Sequence, residues 1–381
     1  MMGPGRLLGM VVWCTLLPAM PGPCRAAGWT IQAVPWPQAD RLFRRDSRWR
    51  GADAANSIDL GKNRVLWTFG DSFVDTNPDP TRRQRRTAQF LRNSVAIQTG
   101  RDPSQADFHP YWQKNRDGTP VSFFRSEGEV FYWPGGGLLL DQKLLLFLMR
   151  IRNAKTGLRF SVVGWGAVLV HHPQDCPKDW TMKYIATPQN PYGIIVGSGS
   201  SIRVADWIYS FGAEDALRHK IYLTRLPVAD AMVGDFSNLQ WWNGPDATWL
   251  KQAEIVDRPP LPIVNHGQTE FTVHYESRLK SYLLTQFMAF PHSCIAVRGA
   301  RKLIGPWSQL QAVFRPEESD ITRSDTMVYA AKAHPELTAN GLAVTYCTNT
   351  FHLATVRKDE SLYYPRFVRF VFQNHADDEA K

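Results

Sequence analysis

DAANSIDLGKNRVLWTFGD, residues 53 to 71, reads as two short strands joined by a turn. Gly61-Lys62-Asn63 is the turn signal, and Ile58, Val65, Trp67 and Phe69 supply the β-branched and aromatic residues that suit a pleated, half-buried surface. With the turn centred on Lys62, cross-strand partners have residue numbers summing to 124, which sets Asp53 against Asp71. Directly opposed like charges destabilise a ladder, so two carboxylates at one end of a hairpin ask for a reason beyond folding. Acid–base chemistry is one such reason, because paired carboxyl groups push each other's proton affinities apart and leave one protonated and one ionised. The competing reading is a turn or strand-end Asp that accepts backbone amides.

The same pattern recurs down the chain. Val65–Asp71, Leu144–Met149, Trp207–Gly212, Ser281–Gln286 and Leu342–Cys347 are apolar strand-like runs that each follow a turn signal and start 79, 63, 74 and 61 residues apart. Each has a partner run before it: Ile58–Leu60, Gly137–Leu140, Ile194–Val204, Phe271–Tyr275 and Met327–Ala331. A five-fold repeat of an antiparallel unit that cannot bury both faces alone predicts an all-β chain folded as a five-bladed β-propeller, with Tyr363–Phe372 closing the ring. In the alternative, a two-sheet β-sandwich, the five-fold spacing would be accidental. No Ser- or Gly-rich linker interrupts the pattern, so residues 28–381 read as one domain.

Residues 1–27 read as a secretory signal peptide: Arg6, an apolar stretch from Leu7 to Met20, and small residues near Cys24 to Ala27. That stretch falls short of the ~20 residues a bilayer span needs and contains Pro18. No later segment is long and apolar enough, so a secreted or periplasmic chain with no membrane span is expected. Losing the leader removes Arg6 and Arg25 and no acid, lowering the formal charge from +9 to +7. The excess sits in two groups, Arg41, Arg44, Arg45, Arg48 and Arg50, and Arg82, Arg83, Arg85 and Arg86. Both read as solvated faces or loops, and no nucleic-acid partner is expected. Past the leader, Cys176, Cys294 and Cys347 are odd in number and lack CxxC spacing, which argues against a zinc site and allows one disulfide at most. Stability then rests on the core, for which 14 Trp and 20 Phe supply material.

On further motifs the chain resembles the bacterial five-bladed propeller glycoside hydrolases related to endo-D-arabinanases, a family first described as an exported domain of unknown function. The resemblance spans Gly51 to Val371 and rests on Gly51–Ser57, Leu66–Phe73, Asn93–Ala96, Tyr132–Gly136, Gly305–Trp307, Ala333–Leu337, Thr345–Asn349 and Tyr364–Val368. Phe69-Gly-Asp-Ser-Phe73 together with the upstream Asp53 is its most specific piece. The resemblance implies that Asp53 and Asp71 are catalytic carboxylates at the mouth of a central cavity, acting on a furanose-containing polysaccharide such as arabinan. The chain departs from the family pattern at Gly135-Gly136-Gly137, where an acidic residue is expected, and at Gly51-Ala52, in place of a Gly-Gly pair. These departures leave the sugar open.

Under the propeller reading further residues join the same rim. Glu270 begins the inner strand of the fourth unit near Gln286, as a third carboxylate acting on substrate or tuning the pair, or as a strand-start charge paired with a base. Trp133, before Pro134, is a candidate sugar-stacking platform or interblade packing. Asn93, His334 and Asn349 carry groups suited to sugar hydroxyls, although His334 also fits a buried structural histidine. Burial between Phe69 and Phe73 favours Asp71 as the acid. No His, Asp and Glu set has metal-site spacing, so neither metal nor cofactor is assigned. The leading expectation is a secreted, monomeric glycoside hydrolase acting on poly- or oligosaccharide. The alternative is a non-catalytic propeller that binds carbohydrate or protein through the same rim. A sialidase-like propeller is disfavoured because no Ser-x-Asp-x-Gly-x-x-Trp repeat occurs, and Gly135–Gly137 lacks the Lys of a phosphate loop.

Overall fold

The hairpin forms in the predicted register over Asn56–Asp59, while at the turn Gly61 pairs with Arg64 and a bulge between Asp59 and Gly61 absorbs the difference. Asn56–Gly61 pairs with Arg64–Phe69, with Asn56 opposite Thr68, Ser57 opposite Trp67, Ile58 opposite Leu66 and Asp59 opposite Val65. Gly61, Lys62 and Asn63 turn the chain with φ values of 72°, 49° and 61°, a left-handed path that Gly and Asn tolerate. Ser94–Thr99 and Asp107–Tyr111 extend the hairpin to four strands. The computed structural model describes residues 24–26, 29–155, 159–244, 248–289, 292–319, 325–337 and 340–374. Apart from 24–26, the leader read over residues 1–27 lies outside the described residues.

Four more sheets follow in chain order, and in each the apolar run of the repeat is the second strand. The second sheet holds Val130–Leu140, Lys143–Asn153, Phe160–His171 and Thr181–Ile185. In the third, Ile194–Ile195 and Ser201–Val204 both pair with Trp207–Glu214, followed by Ile221–Pro227, Gln240–Trp242 and Trp249–Lys251. The fourth is Phe271–Glu276, Ser281–Met288, Cys294–Ala300 and Gln311–Phe314. The fifth is Thr326–His334, Leu342–Thr350, Arg366–Asn374 and Trp29–Pro35, with Cys24–Ala26 at its edge.

Each second strand buries both faces, which is why it reads as a continuous apolar run rather than an alternating one. Leu144, Leu146 and Leu148 pack with Ile58, Leu66 and Val95 of the first sheet, while Leu145, Phe147 and Met149 pack with Ile208, Tyr222 and Trp241 of the third. Phe211 and Leu223 meet Phe271 and Leu284 between third and fourth. Leu283 and Ile295 meet Leu342 and Val344 between fourth and fifth. Val65, Trp67 and Phe69 pack with Ala343 and Phe367, so the fifth sheet returns to the first. Five inter-sheet cores in cyclic order differ from a sandwich, whose two layers share one core.

Two strand expectations need correction. The partner run Ile194–Val204 is interrupted, because Val196–Ser198 bulges out of the ladder toward the second sheet's inner strand before Gly199 and Ser200 bond Phe211 again. Gly136 N donates to Gly197 O at 2.8 Å, and a Cβ on Gly136 would stand 2.0 Å from Gly199 O. Two backbones meet here, so no acidic side chain fits where the family pattern has one. The C-terminal run also pairs differently from the expectation. Arg366–Asn374, which overlaps the Tyr363–Phe372 run read as the closing strand, lies inside the fifth sheet, and Trp29–Pro35 pairs along its far side from Trp29 opposite Asn374 to Pro35 opposite Val368. Cys176, Cys294 and Cys347 are all unpaired. Among the described residues no helix is long and apolar enough to cross a membrane.

Candidate active site

Past the ladder the two hairpin strands stay in touch through Asp53 and Asp71. Asp53 N donates to Asp71 O at 3.3 Å, and Gly70 N donates to Asp53 O at 3.1 Å. A Cβ on Gly70 would lie 2.6 Å from Asp53 Oδ1, so the glycine of Phe-Gly-Asp makes room for the opposing carboxylate. Both aspartates are partly exposed while the strand residues below them are mostly buried.

The two carboxylates have different surroundings. Asp53 Oδ2 accepts from the Tyr329 hydroxyl at 2.7 Å and the Tyr363 hydroxyl at 3.1 Å. Tyr329 stands at a bulge in Thr326–His334, where pairing skips from Tyr329 to Lys332 and Ala330 takes φ 52°. Such a bulge re-aims side chains at a sheet's rim. Asp71 Oδ1 accepts from Trp133 Nε1 at 2.9 Å, and Arg92 Nη1 lies 3.4 Å from Asp71 Oδ2. Arg92 is held in turn by Asn153 Oδ1 at 2.8 Å and by the Phe131 ring 4.1 Å beneath its guanidinium.

These surroundings separate the proton affinities. Desolvation, then the charges of Asp71 and Glu270, push Asp53 from its ordinary 3.8 up to about 8 against the pull of the two tyrosine hydroxyls. Desolvation raises Asp71 as well, to about 6, but Arg92 and the Trp133 indole favour its ionised form. Both phenols are held well above their ordinary range by burial and by Asp53, so they remain donors. Burial raises both carboxyls, and it is the neighbouring charges, Glu270 near Asp53 and Arg92 near Asp71, that favour the proton on Asp53 rather than on Asp71.

The remaining candidates divide between rim and core. Trp133 touches Asp71, and its ring also packs edge-on against Phe160 at 4.6 Å. Glu270 is partly exposed, its charge raises the Asp53 carboxyl, and it lies 3.5 Å from the buried ammonium of Lys332. Asn349 is one step removed, donating from Nδ2 to the Tyr329 hydroxyl at 3.3 Å. Asn93 does not reach the site as a sugar ligand. Its fully buried amide donates to Phe124 O and Tyr132 O and accepts from Phe124 N, saturating it with backbone. His334 is likewise buried, between Ser57 Oγ and Thr345 Oγ1, against the Trp67 ring. Desolvation, with Lys332 and His274 nearby, lowers it to about 3, which makes it a neutral structural histidine.

Sequence reasoning missed Arg92, Tyr329, Lys332 and Tyr363. Lys332 had a signal, a lone charge within the apolar run Val328 to Ala333. Arg85, read as part of a solvated arginine run, is fully buried against the Tyr364 ring, donating to the carbonyls of Arg50, Val356, Asp359 and Leu362 at 2.7 to 2.9 Å. Among the described residues no three His, Cys, Asp or Glu side chains are arranged to hold a metal ion.

A model of the family described as a domain of unknown function (DUF5005) matches residues 38–374. No curated protein matches in sequence. Among solved structures, a candidate hydrolase from Bacteroides ovatus ATCC 8483 is similar at 17% identity and TM-score 0.66, covering 93% of this chain and 94% of that one. A family 117 glycoside hydrolase from Zobellia galactanivorans aligns at 10% identity and TM-score 0.48 over 91% of this chain and 92% of its own. An endo-arabinase from Bacteroides thetaiotaomicron VPI-5482 aligns at 11% identity and TM-score 0.45 over 84% and 93%. The first likeness shows a fold shared across nearly the whole of both chains.

Proposed function

We propose, for a chain that belongs to the DUF5005 family, a five-bladed β-propeller glycoside hydrolase in which Asp53 is the general acid and Asp71 the base or nucleophile. The five inter-sheet cores in cyclic order support the propeller. The observation that carries the chemistry is the unlike setting of two carboxylates joined through their own backbones: Asp53 between two phenols and near Glu270, Asp71 against Arg92 and the Trp133 indole.

Near neutral pH that setting keeps a proton on Asp53 and a charge on Asp71. In the proposed reaction Asp53 gives its proton to the glycosidic oxygen as the bond to the anomeric carbon breaks. Asp71 either takes a proton from the water that attacks that carbon or attacks it directly, to be displaced later by water. Trp133 and Arg92 orient the Asp71 carboxylate for either route. The resemblance in sequence suggests a furanose-containing polysaccharide such as arabinan, met after export as a secreted or periplasmic monomer.

The test is to incubate the purified chain with D-arabinan, L-arabinan, fructan and other cell-wall polysaccharides and to profile the oligosaccharides released. Product anomers followed by NMR at early times separate base from nucleophile. Cleavage should follow a bell-shaped pH profile, rising as Asp71 ionises near pH 6 and falling as Asp53 loses its proton near pH 8. Tight binding to one polysaccharide with no product at any pH would replace this reading with a binding propeller.

A further inference from the structure

Behind Asp53 lies a buried charge that folding alone does not call for. Lys332 is fully buried, on the inner strand of the fifth sheet. Its Nζ donates to Asn56 Oδ1 at 2.8 Å and to Ala54 O at 3.5 Å, and lies 3.5 Å from Glu270 Oε1. Apolar side chains of similar volume often replace a buried ion pair without loss of stability, so the pair needs another reason to stand there.

The contacts supply one. Ala54 follows Asp53 and takes φ 54°, a left-handed conformation costly for a residue with a side chain. The ammonium holds the carbonyl of that strained residue and also Asn56, whose Nδ2 donates back to Ala54 O at 3.1 Å and across to Pro134 O at 3.2 Å. One cation thus ties together the first, second and fifth sheets and the residue preceding the fourth. The Glu270 that Lys332 holds acts through its charge on Asp53, whose remaining titratable neighbours are Asp71, Tyr329, Tyr363 and Cys347. His334 lies near Lys332 as well, kept neutral by its burial.

We propose that Lys332 and Glu270 are positioning residues for Asp53: Lys332 fixes the strained backbone that aims the Asp53 carboxylate, and Glu270, anchored by Lys332, keeps a negative charge near it. The idea rests on the function proposed above only for its catalytic consequence. The positioning itself is open to test without substrate.

The experiment compares the parent chain with Glu270→Gln and with the double variant Glu270→Gln/Lys332→Met, which removes both charges and so avoids stranding one in the core. Asp53 titration is followed by carbon-13 NMR of Asp-labelled protein, with Asp53→Asn identifying the signal. In Glu270→Gln the Asp53 midpoint should fall by about one pH unit, since a nearby negative charge has gone, and the thermal melt should fall as well, because the buried Lys332 ammonium loses its carboxylate. In the double variant the Asp53 signal should also shift and broaden as Ala54 loses its anchor. With a cleavable polysaccharide, kcat in the double variant should fall about 100-fold with KM little changed. An Asp53 midpoint identical to the parent's in both variants overturns the proposal and leaves the pair a packing element. If no polysaccharide is cleaved by the parent, the hydrolase reading fails while the titration still decides the role of Lys332 and Glu270.

Discussion

Asp53→Asn and Asp71→Asn should each abolish most turnover. The change nearly preserves shape while removing a transferable proton at one site and an ionised oxygen at the other. General acid–base catalysis contributes about 100- to 10,000-fold, and loss of a nucleophile costs more. Stability should move the other way for Asp53→Asn, because the neutral amide relieves repulsion from Asp71 and Glu270 and still accepts from the Tyr329 and Tyr363 hydroxyls. Asp71→Asn gains less, since its new amide meets Arg92 or the Trp133 indole donor to donor. The gain depends on pH with a definite sign. Both carboxyls titrate higher in the folded chain than their ordinary 3.8, so the folded state holds protons that the unfolded chain has released. Their contribution is complete below about pH 4 and is lost as pH rises, through about 6 for Asp71 and about 8 for Asp53. Asn has nothing to ionise. The melting temperature of Asp53→Asn should therefore match the parent's in acid and pull ahead between pH 5 and pH 8. If both Asn variants melt well below the parent while cleavage stays near parental, the aspartates are structural and a binding role replaces catalysis.

Arg85→Met should be the most damaging single change away from the carboxylates. The guanidinium donates to four carbonyls, those of Arg50, Val356, Asp359 and Leu362, and lies under the Tyr364 ring at 5.1 Å. Met fills a similar volume but takes a donor from each of those carbonyls, and Glu360, which accepts from the Arg85 backbone N–H and pairs with Arg50, loses a cation beside it. Losing one partner of a buried charged network costs about 3–5 kcal/mol. The loop to Tyr363 should loosen with it, so the Tyr363 contact to Asp53 weakens and turnover falls along with stability. Urea unfolding midpoints measure the first effect and rate assays below the transition the second. Arg82→Met is the control. Arg82 is exposed and pairs only with Asp79, so its loss should change stability by less than about 0.5 kcal/mol. Equal losses in the two variants would return Arg85 to the solvated run it resembles in sequence.

The hairpin and the repeat were legible in the sequence because both are local. Alternation, turn residues and apolar runs follow from which faces a strand must bury, and every second strand of the five sheets lies where the apolar runs predict. The meeting of Asp53 and Asp71 was legible from the turn to within one residue, and the bulge between Asp59 and Gly61, which resets the register from the Gly61–Arg64 pair, was not. The role of each polar residue was not legible. Asn93 and His334 carry the same groups whether they meet a sugar or a backbone carbonyl, and only packing turned both inward.

Residues far apart in the chain explain the remainder. Trp29–Pro35 has no mark of a closing strand until Arg366–Asn374 is laid beside it. Tyr329 and Tyr363 reach Asp53 from 276 and 310 residues away, and an arginine in a basic run is written identically whether solvated or buried like Arg85. Strand period and turn geometry are local properties, so an all-β chain of repeated hairpins, with two carboxylates brought together at the end of the first, could be read from the residues alone. The unlike surroundings of those carboxylates, two phenols at Asp53 and Arg92 with the Trp133 indole at Asp71, arise only when distant segments pack around them.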